Sequence, residues 1–182
     1  MVTSFFSKEE LALQGFKRLG ENVQISRLAS FYSRENIEIG NNVRIDDFCL
    51  LSGEIIIGNN VHISAYNAIY GKFGVEMYDY SGLSPRCTIL SATDDFSGGF
   101  LIGPMVKPEL TNVTGGRIII EKYCQIGCGS VVFPGVKIFE GAVAGAMTLV
   151  NKDLEPWKIY KGIPAAYYKE RSKNLLNLLS GD

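Results

Sequence analysis

The sequence predicts an all-β solenoid of short parallel strands, and three observations predict it. The first is a six-residue period across residues 120–150, led by Ile120, Ile126, Val132, Ile138, Ala144 and Val150. Four residues after the first five leads come Cys124, Ser130, Val136, Ala142 and Thr148. A period of six fits neither a helix nor plain strand alternation over this length. It fits short strands joined by tight corners, three strands to a turn, with one branched and one short side chain pointing inward per hexad. The second is an internal copy: "IEIGNNVRI" and "IIIGNNVHI" lie eighteen residues apart, one three-sided turn. The third is composition. With 46% hydrophobic and 20% charged residues, the 182-residue chain is an ordinary folded domain, and 20 glycines against 6 prolines suit many tight bends.

The elements follow in order. Ser7 and Glu10 form a capping box, so residues 1–22 read as a short helical lead-in, with Leu11, Leu13 and Phe16 as apolar surface and Gly20 as its end. The solenoid is expected over 23–154. Its hexads begin raggedly at Val23 and Phe31. They become regular at Ile39, Ile45, Leu51, Ile57, Ile63 and Ile69, then at Met77, Leu83 and Ile89. The third set arrives two residues late because residues 70–75 carry an insertion. Residues 92–117 break the period with glycines, prolines and two adjacent acids, the marks of a functional loop leaving a corner. Pro156 and Pro164 end the hexads. Residues 155–182 read as a helical extension, with a helix from Ala165 whose stripe of Leu175, Leu178 and Leu179 caps the open end of the solenoid.

Several function classes are disfavoured. A net charge of -1 leaves no electrostatic footprint for nucleic acid. No apolar run has membrane-spanning length, and no basic-then-apolar leader opens the chain, so a cytoplasmic protein is expected. Cys49, Cys87 and Cys124 take the short inward position, whereas Cys128 falls near a corner. His62 is the single histidine, so a zinc site built from two or three histidines of one chain is excluded and no metal is expected.

At "IGCGSVVFPGVKI", "GAMTLVNKDLEPW" and "KGIPAAYYKER" the chain resembles the hexapeptide-repeat acyltransferases, over roughly residues 37–171. The resemblance implies a left-handed parallel β-helix, a protruding loop, a homotrimer with active sites between subunits, and acyl-CoA as co-substrate. The left hand rests on the resemblance alone, because ordinary parallel crossovers are right-handed. Within the family the chain looks most like sugar O-acetyltransferases and the N-acyltransferases acting on nucleotide-linked amino sugars for surface polysaccharide. Galactoside enzymes carry a catalytic histidine in a T-x-H stretch where the loop leaves the solenoid. Here that stretch is "SATDD", and Asp94 stands in its place.

That difference points to the acceptor. A sugar hydroxyl needs a base to remove its proton, and histidine suits that task near neutral pH. A carboxylate is a weaker base. It can hold and orient an amine, which attacks a thioester in its free form and then loses its proton readily. Asp94 therefore favours an amino acceptor, with His62 as proton acceptor, and the resemblance implies that the amine is carried on a nucleotide-linked (dTDP-type) sugar. Ser64, Ser84 and Asp95 are the further substrate-binding candidates. Plain solvent exposure is the other reading of Ser64 and Ser84, and solvation of the loop that of Asp95. For the donor, Gly127 and Gly145 would bare an outer wall for the pantetheine arm. By resemblance Cys128 and Ala146 contact CoA, and Asn151, Lys152 and Lys169 meet its phosphate end. Corner glycines and surface lysines have ordinary structural readings as well. The alternatives are a sugar O-acetyltransferase with His62 as general base and a non-catalytic trimeric scaffold.

Overall fold

The computed structural model describes residues 4–179 as a left-handed parallel β-helix of triangular section. Its inward side chains form one continuous core. Ile25, Ile45, Ile63, Leu83, Ile126 and Ala144 stack along one side of the prism, and Phe31, Leu51, Ile69, Ile89, Val132 and Val150 along the next. Branched residues suit this stacking because their fixed rotamers pack well on a pleated wall. Cys49, Cys87 and Cys124 are buried in it, and burial pushes their thiols up to about 11, 11 and 12.

The three outer faces differ in chemistry. One pairs Arg18 with Glu38 and Ile119 with Lys137, and is charged. The second presents Leu50, Ala68, Thr88, Val131 and Leu149 in one row, with Tyr32, Ser52, Tyr70 and Leu90 in the next, and is largely apolar. The third presents Gln24, Arg44, His62, Gly82, Gln125 and Val143 in register, and is polar.

The corners need left-handed backbone, which asparagine tolerates better than most residues. Asn22, Asn42 and Asn60 hold it at one corner, each amide nitrogen donating to the next side-chain oxygen at 2.9 and 3.1 Å. Tyr80, Tyr123 and Trp157 continue that corner at φ of 58°, 62° and 56°. Aromatic residues tolerate this conformation here because each ring contacts the next coil's, with centroids 5.5 and 6.2 Å apart.

Both ends depart from the sequence reading. Helix α1 spans Lys8–Ala12 and carries both capping-box bonds between Ser7 and Glu10. The solenoid already starts at Arg18–Leu19, paired with the strand of Glu38 and Ile39, so the lead-in ends before Gly20. Ile25, not Val23, is the first buried lead on its face. At the other end no helix begins at Ala165. Lys158–Lys161 extends the polar sheet, and Ala166–Glu170 folds back antiparallel to it. The last coil exposes a row of unpaired backbone groups, and this hairpin covers it. Tyr167 packs edge-on against Tyr160, and Lys161 lies over the Tyr168 ring. Helix α2, Leu175–Leu179, is a short turn whose Leu178 is 76% exposed, so its leucines do not cap the solenoid within one chain.

Candidate active site

The loop leaves the apolar face after Ser91. Ala92–Thr93 pairs antiparallel with Thr114–Gly115 and closes its neck. The closure requires glycine at 115, where a Cβ would lie 2.1 Å from the Ser91 carbonyl oxygen. Asp94 follows directly and lines a cavity of about 650 Å³ between loop and solenoid. Its walls include Tyr70, Lys72, Leu90, Val106, Pro108 and Val113. Asp95 turns away from this role. One carboxylate oxygen accepts the Ser97 N–H at 2.8 Å and the other accepts the Asn112 amide at 2.9 Å, which ties the two limbs of the loop together. Hydrogen bonds from Ser97 and then Asn112 hold its carboxyl below the usual range.

His62, Ser64 and Ser84 project from the polar face, not from the Asp94 cavity. The pairing of Ile63 with Leu83 sets Ser64 beside Ser84. Ser84 Oγ accepts a hydrogen bond from Gln125 Nε2 at 3.0 Å. His62 Nε2 lies 2.8 Å from Asp46 Oδ2, and Arg44 Nε donates to Asp46 Oδ1 at 2.6 Å. Burial would raise the Asp46 carboxyl, but these bonds outweigh it and hold it below the usual range. Within one chain, therefore, the fold gathers His62, Ser64 and Ser84 on one face and separates them from Asp94.

The donor candidates lie farther along the same prism. Gly127 is dictated by coil packing, since a Cβ there would sit 2.5 Å from Ala146 N and Gly145 C. Gly145 is freer, with its nearest neighbour, Tyr160 O, at 3.3 Å from the same construction. Cys128 and Ala146 sit at the adjoining corner, where Met147 N donates to Cys128 O at 2.8 Å, and the Cys128 thiol is exposed. Lys169 pairs with Ile159 on the polar sheet, whereas Asn151 and Lys152 follow the strand Leu149–Val150 on the apolar sheet. No hydrogen bond or ion pair among the described residues joins Lys169 to either.

Asp46, Gln125 and Lys72 escaped the sequence reading. The repeat contained the signal for the first two. Asp46 falls one eighteen-residue turn before Ser64, and Gln125 is the register partner of Gly82. Lys72 lies inside the two-residue insertion, where the period carries no information. Among the described residues, no group of three or more His, Cys, Asp or Glu side chains is placed to hold a metal ion.

A triangular parallel solenoid with an interrupting loop and a carboxylate at its neck matches the architecture of the hexapeptide-repeat acyltransferases. No protein-family model matches the chain. Over 180 residues it is 46% identical to the dTDP-4-amino-4,6-dideoxy-D-glucose acyltransferase of Escherichia coli, covering 97% of this chain and 94% of that one. Two solved structures of AntD, an N-acyltransferase from Bacillus cereus, superpose with a TM-score of 0.95. The D94N mutant, in complex with dTDP and coenzyme A, is 46% identical over 98% of this chain and 97% of that one. The S84C mutant, in complex with dTDP-4-amino-4,6-dideoxyglucose and coenzyme A, is 45% identical over 99% and 97%. The chain belongs to the family of these N-acyltransferases, within the hexapeptide-repeat acyl-CoA-dependent acyltransferases. That membership removes the scaffold alternative.

Proposed function

We propose that the chain transfers an acetyl or larger acyl group from acyl-CoA to the amino group of a dTDP-linked 4-amino-4,6-dideoxysugar, in surface polysaccharide or glycan assembly. The observation that carries this reading is the near full-length identity to the E. coli enzyme. Asp94, the one carboxylate among the described residues that line the loop cavity, supports an amino acceptor. In the reaction the free amine attacks the thioester carbonyl carbon, the C–S bond breaks, and the sulfur leaves as thiolate. The new ammonium gives up one proton, and the products are an amide and free CoA. Asp94 orients the amine, and His62, fixed by Asp46 through Nε2, presents Nδ1 to take the proton. Ser64 and Ser84 contact the sugar. The outer wall at Gly127, Cys128, Gly145 and Ala146 receives the pantetheine arm, and Asn151, Lys152 and Lys169 meet the phosphates.

The working unit is a cytoplasmic homotrimer. The apolar face carrying Leu50, Ala68, Leu90, Val131 and Leu149 is suited to cover by a second copy. A neighbouring copy would also bring a polar face toward the Asp94 cavity, which one chain cannot do for itself. No helix among the described residues is long and apolar enough to cross a membrane.

The test is acceptor-dependent release of free CoA thiol. dTDP-4-amino-4,6-dideoxyglucose is expected to support release and its 4-hydroxy counterpart to give none. The Asp46–His62 pair favours one second reading, O-acylation with His62 as base, and turnover of the hydroxy sugar alone would select it.

A further inference from the structure

The two-residue insertion has a location and a content. Gly53 pairs with Gly71, and the next paired residues are Ile55 and Val75. One coil crosses that interval with Glu54 alone, while its neighbour crosses it with Lys72, Phe73 and Gly74. The surplus bulges outward and is anchored. Phe73 N donates to Ser91 Oγ at 2.9 Å, and Ser91 Oγ donates to Tyr70 O at 2.9 Å. Ser91 is fully buried, so the bulge has a fixed root. Glycine at 74, with φ of 95°, lets the chain return to the sheet.

The bulge sets Lys72 into the wall of the cavity that Asp94 also lines. The Lys72 side chain forms no hydrogen bond or ion pair among the described residues. The two nearest acids along the paired strands are already engaged, because Arg117 bridges Glu54 at 2.7 Å and Glu76 at 2.9 Å. Arg117 also lies over Gly74, where a Cβ would come within 2.6 Å of its Cζ, so the guanidinium that holds those carboxylates packs against the root of the bulge. The cavity thus offers, among the described residues, one carboxylate and one uncommitted ammonium, with Leu90, Val106 and Val113 among the apolar groups that line it. A matching ligand carries both an amine and an anion.

We propose that Lys72 binds the diphosphate of the nucleotide-sugar acceptor while Asp94 holds its amine, so that one cavity reads both charges of the substrate. This rests on the acceptor reading above. Lys72 is a binding and specificity residue and takes no part in proton transfer.

The experiment compares full-length wild type with Lys72→Gln and Lys72→Arg. Calorimetric titration with dTDP alone is expected to show about a tenfold or greater loss of affinity in Lys72→Gln, with most of it restored in Lys72→Arg. The acceptor KM should rise in parallel, with kcat and the acyl-CoA KM unchanged. Added salt should weaken dTDP binding more in wild type than in Lys72→Gln. Unchanged dTDP affinity in Lys72→Gln would overturn the assignment and place the diphosphate elsewhere. The binding arm decides independently of turnover: a wild type that binds dTDP through Lys72 yet acylates no dTDP-amino sugar would overturn the acceptor reading alone.

Discussion

His62 Nε2 lies 2.8 Å from Asp46 Oδ2, across two neighbouring coils of the polar face. The bond engages Nε2, and Nδ1 has no hydrogen-bond partner among the described residues. Removing the imidazole, as in His62→Gln, is expected to lower kcat by about 10²-fold, the low end for a general base. Asp46→Asn keeps the ring but weakens its hold, and the expected loss is about tenfold, the equivalent of one ordinary hydrogen bond. Steady-state rates with saturating acceptor decide this. Wild-type rates in both variants would remove His62 from the chemistry.

The same carboxylate links activity to acid stability. Asp46 is held below the usual carboxylate range in the folded chain, so it binds its proton less readily there than in the unfolded one. Its stabilisation is complete above the ordinary carboxylate range and is lost as the pH falls through the depressed value. Arg44 and His62 are half-exposed, which limits the effect to under about 1 kcal/mol. Thermal melts should show Asp46→Asn less stable than wild type near neutrality and equal to it in strong acid. A constant gap across that range would contradict the linkage.

Asp94 is the residue that separates the amino from the hydroxyl acceptor. Asp94→Asn retains the shape of the cavity and removes the one negative charge among the described residues that line it. We expect a fall in kcat/KM of about 10²-fold or more for the amino sugar, with acyl-CoA binding intact. Full activity in Asp94→Asn would sink the role.

Two donor-wall glycines separate packing from function. Gly127→Ala forces a Cβ against the backbone of the next coil and is expected to cost about 1–3 kcal/mol, as overpacking does. Gly145→Ala meets less resistance, so its melting temperature should stay close to wild type while its KM for acyl-CoA rises. If Gly145→Ala binds acyl-CoA normally, the pantetheine arm runs elsewhere.

The thiols report on the same wall. Cys49, Cys87 and Cys124 are buried and their thiols pushed up, whereas Cys128 is exposed. Native protein should therefore react with a thiol reagent at Cys128 far faster than at the other three. Bound CoA is expected to slow that reaction, and equal rates with and without CoA would detach Cys128 from the donor site.

The legible part of the fold was the part that repeats. Ile45, Ile63 and Leu83 were identifiable as inward because each coil imposes the same choice at the same position. At the ends only the Ser7–Glu10 capping box of α1 was legible. Leu19 and Ile25 pair with residues twenty positions on, because the first coil carries extra residues around Arg34–Asn36. Tyr167 and Tyr168 lie in a strand because an open coil edge needed covering, which their own sequence does not announce. At the site, His62 and Ser64 flank the lead Ile63 and Ser84 follows the lead Leu83, so the hexad frame alone points all three outward. The Asp46 and Gln125 bonds that hold His62 and Ser84 run between coils, 16 and 41 residues apart in sequence.

By itself the sequence determined the solenoid, the place of its interruption and the exchange of histidine for Asp94. It could do so because a repeat writes each inward position many times over. Only the tertiary structure decided which outer residues meet. It bonded His62 to Asp46 and Ser84 to Gln125, put Asp94 and Lys72 in one cavity at another face, and tied Arg117 to Glu54 and Glu76. Outward side chains are free of the core's volume constraint, so their partners are set by how the coils register and where two extra residues must bulge.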